Sequence, residues 1–366
     1  MRGASPSKHG GAALAANGIA VRTPAAFDDA VVWAAWLYYA DQLNQSEVAK
    51  ALNVSRATVV TLLQEARERE VVTIRLRSDL VSRTGLAQSL AARYGLTDAL
   101  VIPDCNDADL VDRLGDAGAR FLGDQLQPDD VIGVAWGRTV LAAARAMSRS
   151  NAVSPLTVVQ VAGSSTASWD FSPELCTSLL ANRLGARCSN LLAPALLSSA
   201  RLRDQLMAEP MLVRQFKLIR SANRILFGVG DLGPAGTLLT SGFATAATVQ
   251  RYAAAGACGA VIGRFITANG DPVPGDLDHR MIGITLAELK AMPVRICVAG
   301  GAVKHQAICA TLAGNYATHL VTDASTARQL LKLPGPADGG TAAFLQADDV
   351  AQTSGAEADQ GAAPDN

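Results

Sequence analysis

From Ala30 to Ala66 the apolar positions recur at helical spacing with few turn-forming breaks. From about residue 98 onward the pattern changes to short β-branched runs separated by amphipathic stretches. Strands are predicted at Ala99–Ile102, Val131–Ala135, Leu156–Val161, Arg224–Val229, Ala260–Ile266, Val294–Val298 and His319–Val321. Helices are predicted at Leu110–Leu126, Thr139–Ser148, Pro173–Leu184, Thr245–Ala255 and Val303–Leu312. Strands alternating with helices of that length require crossover connections, hence a mostly parallel, Rossmann-like α/β sheet covered on both faces. Residues 1–26 and 333–366 are small, polar and rich in Gly and Pro, and offer too little apolar surface to offset the entropy of ordering. The expected organisation is a disordered tail (1–26), a helical domain (27–78), an α/β domain (79–332) and a second disordered tail (333–366).

The run from Gln45 to Gln64 carries the constraints of two helices meeting at a tight turn. Asn44 followed by Glu47 forms a capping box, and Ser55 stands where it caps a second helix. Ala49 is small where crossing helices approach, and Asn53 tolerates the left-handed backbone such a turn needs. Val48, Leu52, Val54, Val59, Leu62 and Ala66 form an apolar seam against an earlier helix, Ala30–Tyr39, which supplies Val32, Trp33, Trp36 and Leu37. The pattern is that of a helix-turn-helix, winged if the following Val71–Leu76 forms a strand. In such a motif the exposed start of the second helix enters the major groove of double-stranded DNA. Arg56, Ala57, Thr58 and Thr61 are therefore placed toward bases or phosphates, and Ser46 and Ser55 toward the backbone. Val81–Arg93 reads as a helix leading into the larger domain.

The 366 residues are 49% hydrophobic and near charge balance, with 32 Lys+Arg against 33 Asp+Glu and a net charge of -1. Any nucleic-acid surface must be regional. Residues 31–77 hold basic Lys50, Arg56, Arg67, Arg69, Arg75 and Arg77 against acidic Asp41, Glu47, Glu65, Glu68 and Glu70. One copy then binds DNA weakly, so a homodimer or homotetramer on a repeated or palindromic operator is expected. Cys105, Cys176, Cys188, Cys258, Cys297 and Cys309 form no C-x-x-C pair and read as reduced thiols. With no secretory h-region and no apolar run of membrane-spanning length, a cytoplasmic protein without membrane association is expected.

Four glycine turns follow predicted strand ends, the edge where open α/β sheets bind ligands. They are Gly137-Arg138-Thr139, Gly163-Ser164-Ser165, Gly228-Val-Gly230-Asp231 and Gly300-Gly301 with Lys304. The first aims backbone N–H groups, a hydroxyl and a guanidinium at one point, which suits a phosphate or other anion. Asp231 suits sugar hydroxyls, and Lys304 suits a phosphate or, as an amine, a carbonyl. No G-x-G-x-x-G fingerprint with a partnering acid and no Walker A loop is present, so no nucleotide cofactor is indicated. His9, His279, His305 and His319 show no metal-ligand spacing, and His305 reads as a surface residue.

These residues resemble the SorC family of sugar-binding transcriptional regulators. The resemblance covers about residues 30–331. It rests on Trp36-Leu-Tyr-Tyr39, Gln45-Ser-Glu-Val-Ala49 and Ser55-Arg-Ala-Thr58, then Trp136-Gly-Arg-Thr139, Val159-Gln-Val-Ala-Gly163 and Ala193-Pro194. It continues in Gly228-Val-Gly230, Gly263-Arg-Phe265 with Gly270, Gly300-Gly301 with Lys304, and Leu320-Val-Thr-Asp323 before Ala327. It implies a regulator of a carbohydrate operon whose DNA affinity changes when a sugar, polyol or sugar phosphate binds a domain related to sugar-phosphate isomerases. The enzymes of that fold carry an Asp-Gly-His run after the position of Gly228, and none stands here, so binding without turnover is expected. The competing reading is a sugar-phosphate isomerase or deaminase with a helical appendage. Ala260, Thr267 and Asn223 replace acidic residues common in the family, which points to a different effector.

Overall fold

The structure is a computed structural model that describes residues 12–14, 20–22, 27, 29–72, 85–148, 155–164 and 171–333. It divides into two compact units, Met1–Leu76 and Arg77–Asn366.

In the first unit, β1 (Ala12–Leu14) pairs antiparallel with β2 (Ala20–Arg22). These two strands fall within the leader expected to be disordered, the rest of which, up to Ala26, lies outside the described residues. Helix α1 (Ala30–Ala35) starts at Asp29, whose side chain accepts from the Val31 N–H at 2.9 Å, and continues as a π-turn over Trp36–Ala40. Helices α2 (Gln45–Leu52) and α3 (Arg56–Glu68) complete the unit. Its core joins Val31, Ala34, Ala35 and Leu37 of the first helical stretch to Val48, Ala49 and Leu52 of α2 and Val59, Leu62, Leu63 and Ala66 of α3. Trp36 is not in this seam. Leu37 shares the helix face of Ala30 and Ala34, so it is buried while Trp36 stays 50% exposed, and the stretch closes in the π-turn marked by Asp41 N donating to Trp36 O at 3.1 Å. Val71 and Val72 form a bend, and the predicted wing strand lies, from Thr73 onward, outside the described residues.

The second unit begins with α4 (Gly85–Tyr94); the earlier part of the predicted Val81–Arg93 helix is outside the described residues. There follow β3 (Asp98–Ile102), α5 (Asp107–Gln125), β4 (Val131–Val134), α6 (Arg138–Ala146), β5 (Thr157–Gln160), α7 (Pro173–Leu184) and β6 (Arg187–Ser189). Helices α8 (Ala200–Met207) and α9 (Pro210–Arg220) lead to β7 (Arg224–Phe227) and β8 (Val229–Gly230). Next come α10 (Thr237–Thr240), α11 (Ala246–Ala254), β9 (Ala257–Val261), β10 (Arg264–Thr267), α12 (Asp276–Arg280) and α13 (Leu286–Ala291). The chain closes with β11 (Val294–Val298), a 3-10 turn at Ala302–Lys304, α14 (His305–Ala313), β12 (His319–Asp323) and α15 (Ala324–Lys332).

Seven strands form a parallel sheet in the order β3-β12-β11-β7-β4-β5-β6. Alternate residues of the inner strands feed opposite cores, as the two-residue strand period requires. Ile225 and Phe227 face one core and Leu226 the other; Cys297 likewise opposes Ile296 and Val298. The run predicted as a single strand, Ala260–Ile266, is an antiparallel hairpin of β9 and β10 that turns at Ile262-Gly263 and adds β8 as a third strand. Both turn residues have positive φ (50° and 77°), and Ile at such a position hid the turn from a reading based on usual turn formers.

Candidate functional site

In the first unit both helix starts are fixed by caps. Asn44 Oδ1 accepts from Ser46 N (3.0 Å) and Glu47 N (3.1 Å), and Glu47 Oε2 accepts from Asn44 N at 2.7 Å. Asn53 takes the left-handed conformation at φ 54°, ψ 45°, ending α2 in a tight turn. Ser55 Oγ accepts from Thr58 N at 3.1 Å and lies 2.9 Å from Thr58 Oγ1. The start of α3 thereby exposes Ser55, Arg56, Ala57, Val60 and Thr61, with Thr58 half-buried and Ser46 exposed on the neighbouring helix. Thr61 Oγ1 donates to Ala57 O at 3.3 Å. Arg56 Nε donates to Gln45 Oε1 at 3.1 Å, a partner the sequence reading did not single out although it stands first in the capped α2. Arg69 pairs with Asp29 and with Glu65, tying the end of α3 to the cap of α1. The Arg69 hydrogen bond holds the Asp29 carboxyl below the usual range.

In the second unit a cavity of about 1040 Å³ opens beside the C-terminal ends of the parallel strands. Arg138, Thr139, Asp231 and Lys304 line it, with Asp107, His305 and Cys258. A niche of about 30 Å³ shares Arg138, Thr139 and Lys304 with it and is walled by Gly137, Gly228, Gly230, Trp136 and Ala260. Three of the four predicted turns therefore converge. Gly137, at φ 128°, lets the chain swing from β4 into α6. Arg138 Nη2 donates to Ala235 O at 2.6 Å, so the guanidinium bridges to the loop that carries Asp231. Asp231 Oδ1 accepts from Gly233 N at 3.0 Å.

Thr139 differs from expectation. It is buried, and its hydroxyl proton goes to Val298 O at 2.9 Å, leaving only oxygen lone pairs toward the cavity. Lys304 sits on the 3-10 turn that follows Gly300-Gly301. Burial depresses its pKa; the nearby Asp231 carboxylate opposes this and the Arg138 cation reinforces it. Asp323 holds that turn: its Oδ2 accepts from Gly301 N at 3.1 Å and from Thr326 Oγ1 at 2.6 Å, and its Oδ1 caps α15 at Thr326 N, 2.8 Å. His305, read as a surface residue, is half-buried on the cavity wall, and its Nε2 has no hydrogen-bond partner among the described residues.

The turn at Gly163 lines neither space. A Cβ on Gly163 would meet Pro194 O at 2.6 Å, Ser164 N donates to Ala193 O at 2.7 Å, and Ser164 Oγ donates to Leu191 O at 3.3 Å. These residues seal one loop against another. Ser165 lies outside the described residues. Of the three departures from family pattern, Ala260 walls the niche, Thr267 instead accepts from Asp271 N at 3.1 Å, and Asn223 precedes β7 at the opposite end of the strands. Among the described residues no group of His, Cys, Asp and Glu is arranged to hold a metal, and no helix is long and apolar enough to cross a membrane.

Residues 78–332 match the family model described as "Putative sugar-binding domain". The chain is 35% identical over 311 residues to the Uncharacterized transcriptional regulator YjhU of Escherichia coli strain K12, covering 83% of this chain and 94% of that one. It is 32% identical to the Transcriptional regulator LsrR of Klebsiella pneumoniae, over 84% of this chain and 94% of that one. The crystal structure of the full-length sorbitol operon regulator SorC of Klebsiella pneumoniae superposes with a TM-score of 0.67 at 26% identity, over 82% of this chain and 97% of that chain. Head, sheet and glycine turns occur together in one order, and the chain belongs to the SorC family of sugar-binding transcriptional regulators.

Proposed function

We infer that the chain binds operator DNA through α3 and changes that affinity when an anionic carbohydrate, a sugar phosphate or a related polyol phosphate, fills the cavity. The observation that carries the effector site is the convergence of Arg138, Lys304 and Asp231 on one cavity at the strand ends. Two cations and one carboxylate suit a ligand with an anionic end and a hydroxylated body. In this reading the Gly137, Gly228 and Gly230 turns surround the anion with Arg138 and the backbone N–H of Thr139 in the first turn of α6, Lys304 adds charge, and Asp231 accepts from hydroxyls. Ser46, Ser55, Arg56, Ala57, Thr58 and Thr61 form the DNA face. The ligand shifts DNA affinity only by its differential affinity for two arrangements of the regulator.

The regulator acts as a cytoplasmic homo-oligomer, because a single head offers few cations and half-sites reward paired heads. It binds its effector without converting it, since Asp231 is the only acid or base in the Gly228–Gly233 loop. Fluorescence anisotropy of the full chain on its own upstream DNA, with and without a panel of sugars and their phosphates, tests the reading. A sequence-selective complex whose midpoint moves with one class of sugar supports it; no sequence preference at moderate salt overturns it. Recovery of an isomerised or deaminated sugar would transfer the assignment to an enzyme.

A further inference from the structure

Gln45 is the first residue of α2 and Arg56 the first of α3, and both helix starts are immobilised by side-chain caps, Asn44 for one and Ser55 for the other. The relative placement of the two side chains is therefore set by the backbone of the motif. Arg56 is the one charged residue in α3 before Glu65. Its Nε donates to Gln45 Oε1 at 3.1 Å, and it has no ion pair among the described residues. A guanidinium is a rigid planar fork of N–H donors, so engaging Nε fixes the plane and leaves the two Nη groups free. Those two groups match the O6 and N7 acceptors of guanine in the major groove. Neighbouring side chains offer no competing donor: Ala57 has none, Ser55 and Thr58 hold each other, and Thr61 returns its proton to the Ala57 carbonyl.

We propose that Gln45 is a positioning residue that aims the Nη pair of Arg56 at one guanine of each operator half-site. The inference rests on the reading of α3 as the DNA-contacting helix. An unrestrained arginine spreads over many rotamers and serves a phosphate as well as a base; one held at Nε discriminates. Gln45 thus governs base preference more than total affinity.

The test uses the full chain, an operator found by selection from random DNA, and its single-base variants. Arg56→Ala is expected to reduce the preference for guanine at one position about tenfold or more. Gln45→Ala should remove most of the same preference at the same position. The double variant should be no worse than Arg56→Ala alone, and Gln45→Glu, which keeps the acceptor, should retain the preference. Binding to random-sequence DNA and the thermal midpoint report on folding and should be unchanged in Gln45→Ala. Full guanine preference in Gln45→Ala, or additive losses in the double variant, would overturn the proposal. If Arg56→Ala altered binding to no sequence, the reading of α3 would fall instead.

Discussion

The Asn223 side-chain amide donates to Asp130 Oδ1 at 2.7 Å, while the Arg224 guanidinium takes the other oxygen of the same buried carboxylate. Asn223 Oδ1 also accepts from Val131 N at 3.1 Å, so one amide serves as donor and acceptor between the starts of β4 and β7. The two-way bonding accounts for an amide rather than a carboxylate at position 223. Asn223→Asp is expected to destabilise the second unit by about 1–3 kcal/mol, because it removes a donor and sets two carboxylates side by side. The crowded carboxyl would have a raised pKa in the fold, so the deficit should shrink as pH falls toward about 5. Urea titrations at about pH 7 and about pH 5 measure it; an unchanged deficit would count against carboxylate repulsion.

Burial makes the Lys304 ammonium lose its proton at lower pH than its ordinary 10.5. A bound phosphate favours the charged form. Affinity for a sugar phosphate should therefore decline as pH rises from about 7 toward that value, earlier than for an exposed lysine. Lys304→Arg keeps its charge throughout and should flatten the decline, which calorimetric titration across the range would show. Lys304→Ala should lose effector binding but retain operator binding, and Arg56→Ala the reverse.

Cys176 and Cys297 are fully buried, and burial pushes each thiol from 9.0 to about 12. The sign follows from linkage: the folded pKa is raised, so their contribution is complete below 9.0 and is lost as pH climbs toward 12. Chemical stability should fall steadily above about pH 9, and Cys297→Ala should remove part of that slope while lowering stability at neutral pH. Alkylation of both thiols in the native protein should be slow; rapid labelling would refute their burial.

Asn53→Gly should leave stability within a few tenths of a kcal/mol, whereas Asn53→Ala should cost about 1–2 kcal/mol, because only the latter pays for a Cβ at φ 54° without the local hydrogen bonding that Asn offers. Denaturation of the full chain compares the two. Equal losses would place the role of Asn53 in its side chain alone.

The helix-turn-helix was legible because its determinants are local: Asn44, Asn53 and Ser55 act within a few residues of themselves, and the apolar seam keeps one period. Three glycine turns were legible for the same reason. What escaped the sequence is set at long range. Thr139 spends its proton on Val298, and Asp323 fastens Gly301 from another strand. Gly163 has the same local signature as Gly137, yet packing against Pro194 turns it away from the cavity. Helix α8 has no buried residue and so left no apolar period to detect. Ile262 concealed a hairpin because a β-branched residue rarely takes positive φ.

The π-turn at Trp36–Ala40 gives a different kind of constraint from any side chain. One additional residue in a turn rotates everything downstream by about 100° about the axis, so it acts as a clutch between two stretches of one rod. The identity of the inserted residue matters little; the count does. Point changes at exposed Trp36 should be absorbed, whereas excising Tyr38 or Tyr39 would turn Ala35 and Leu37 out of step with Leu43 beyond the turn and unseat the floor on which α2 and α3 rest.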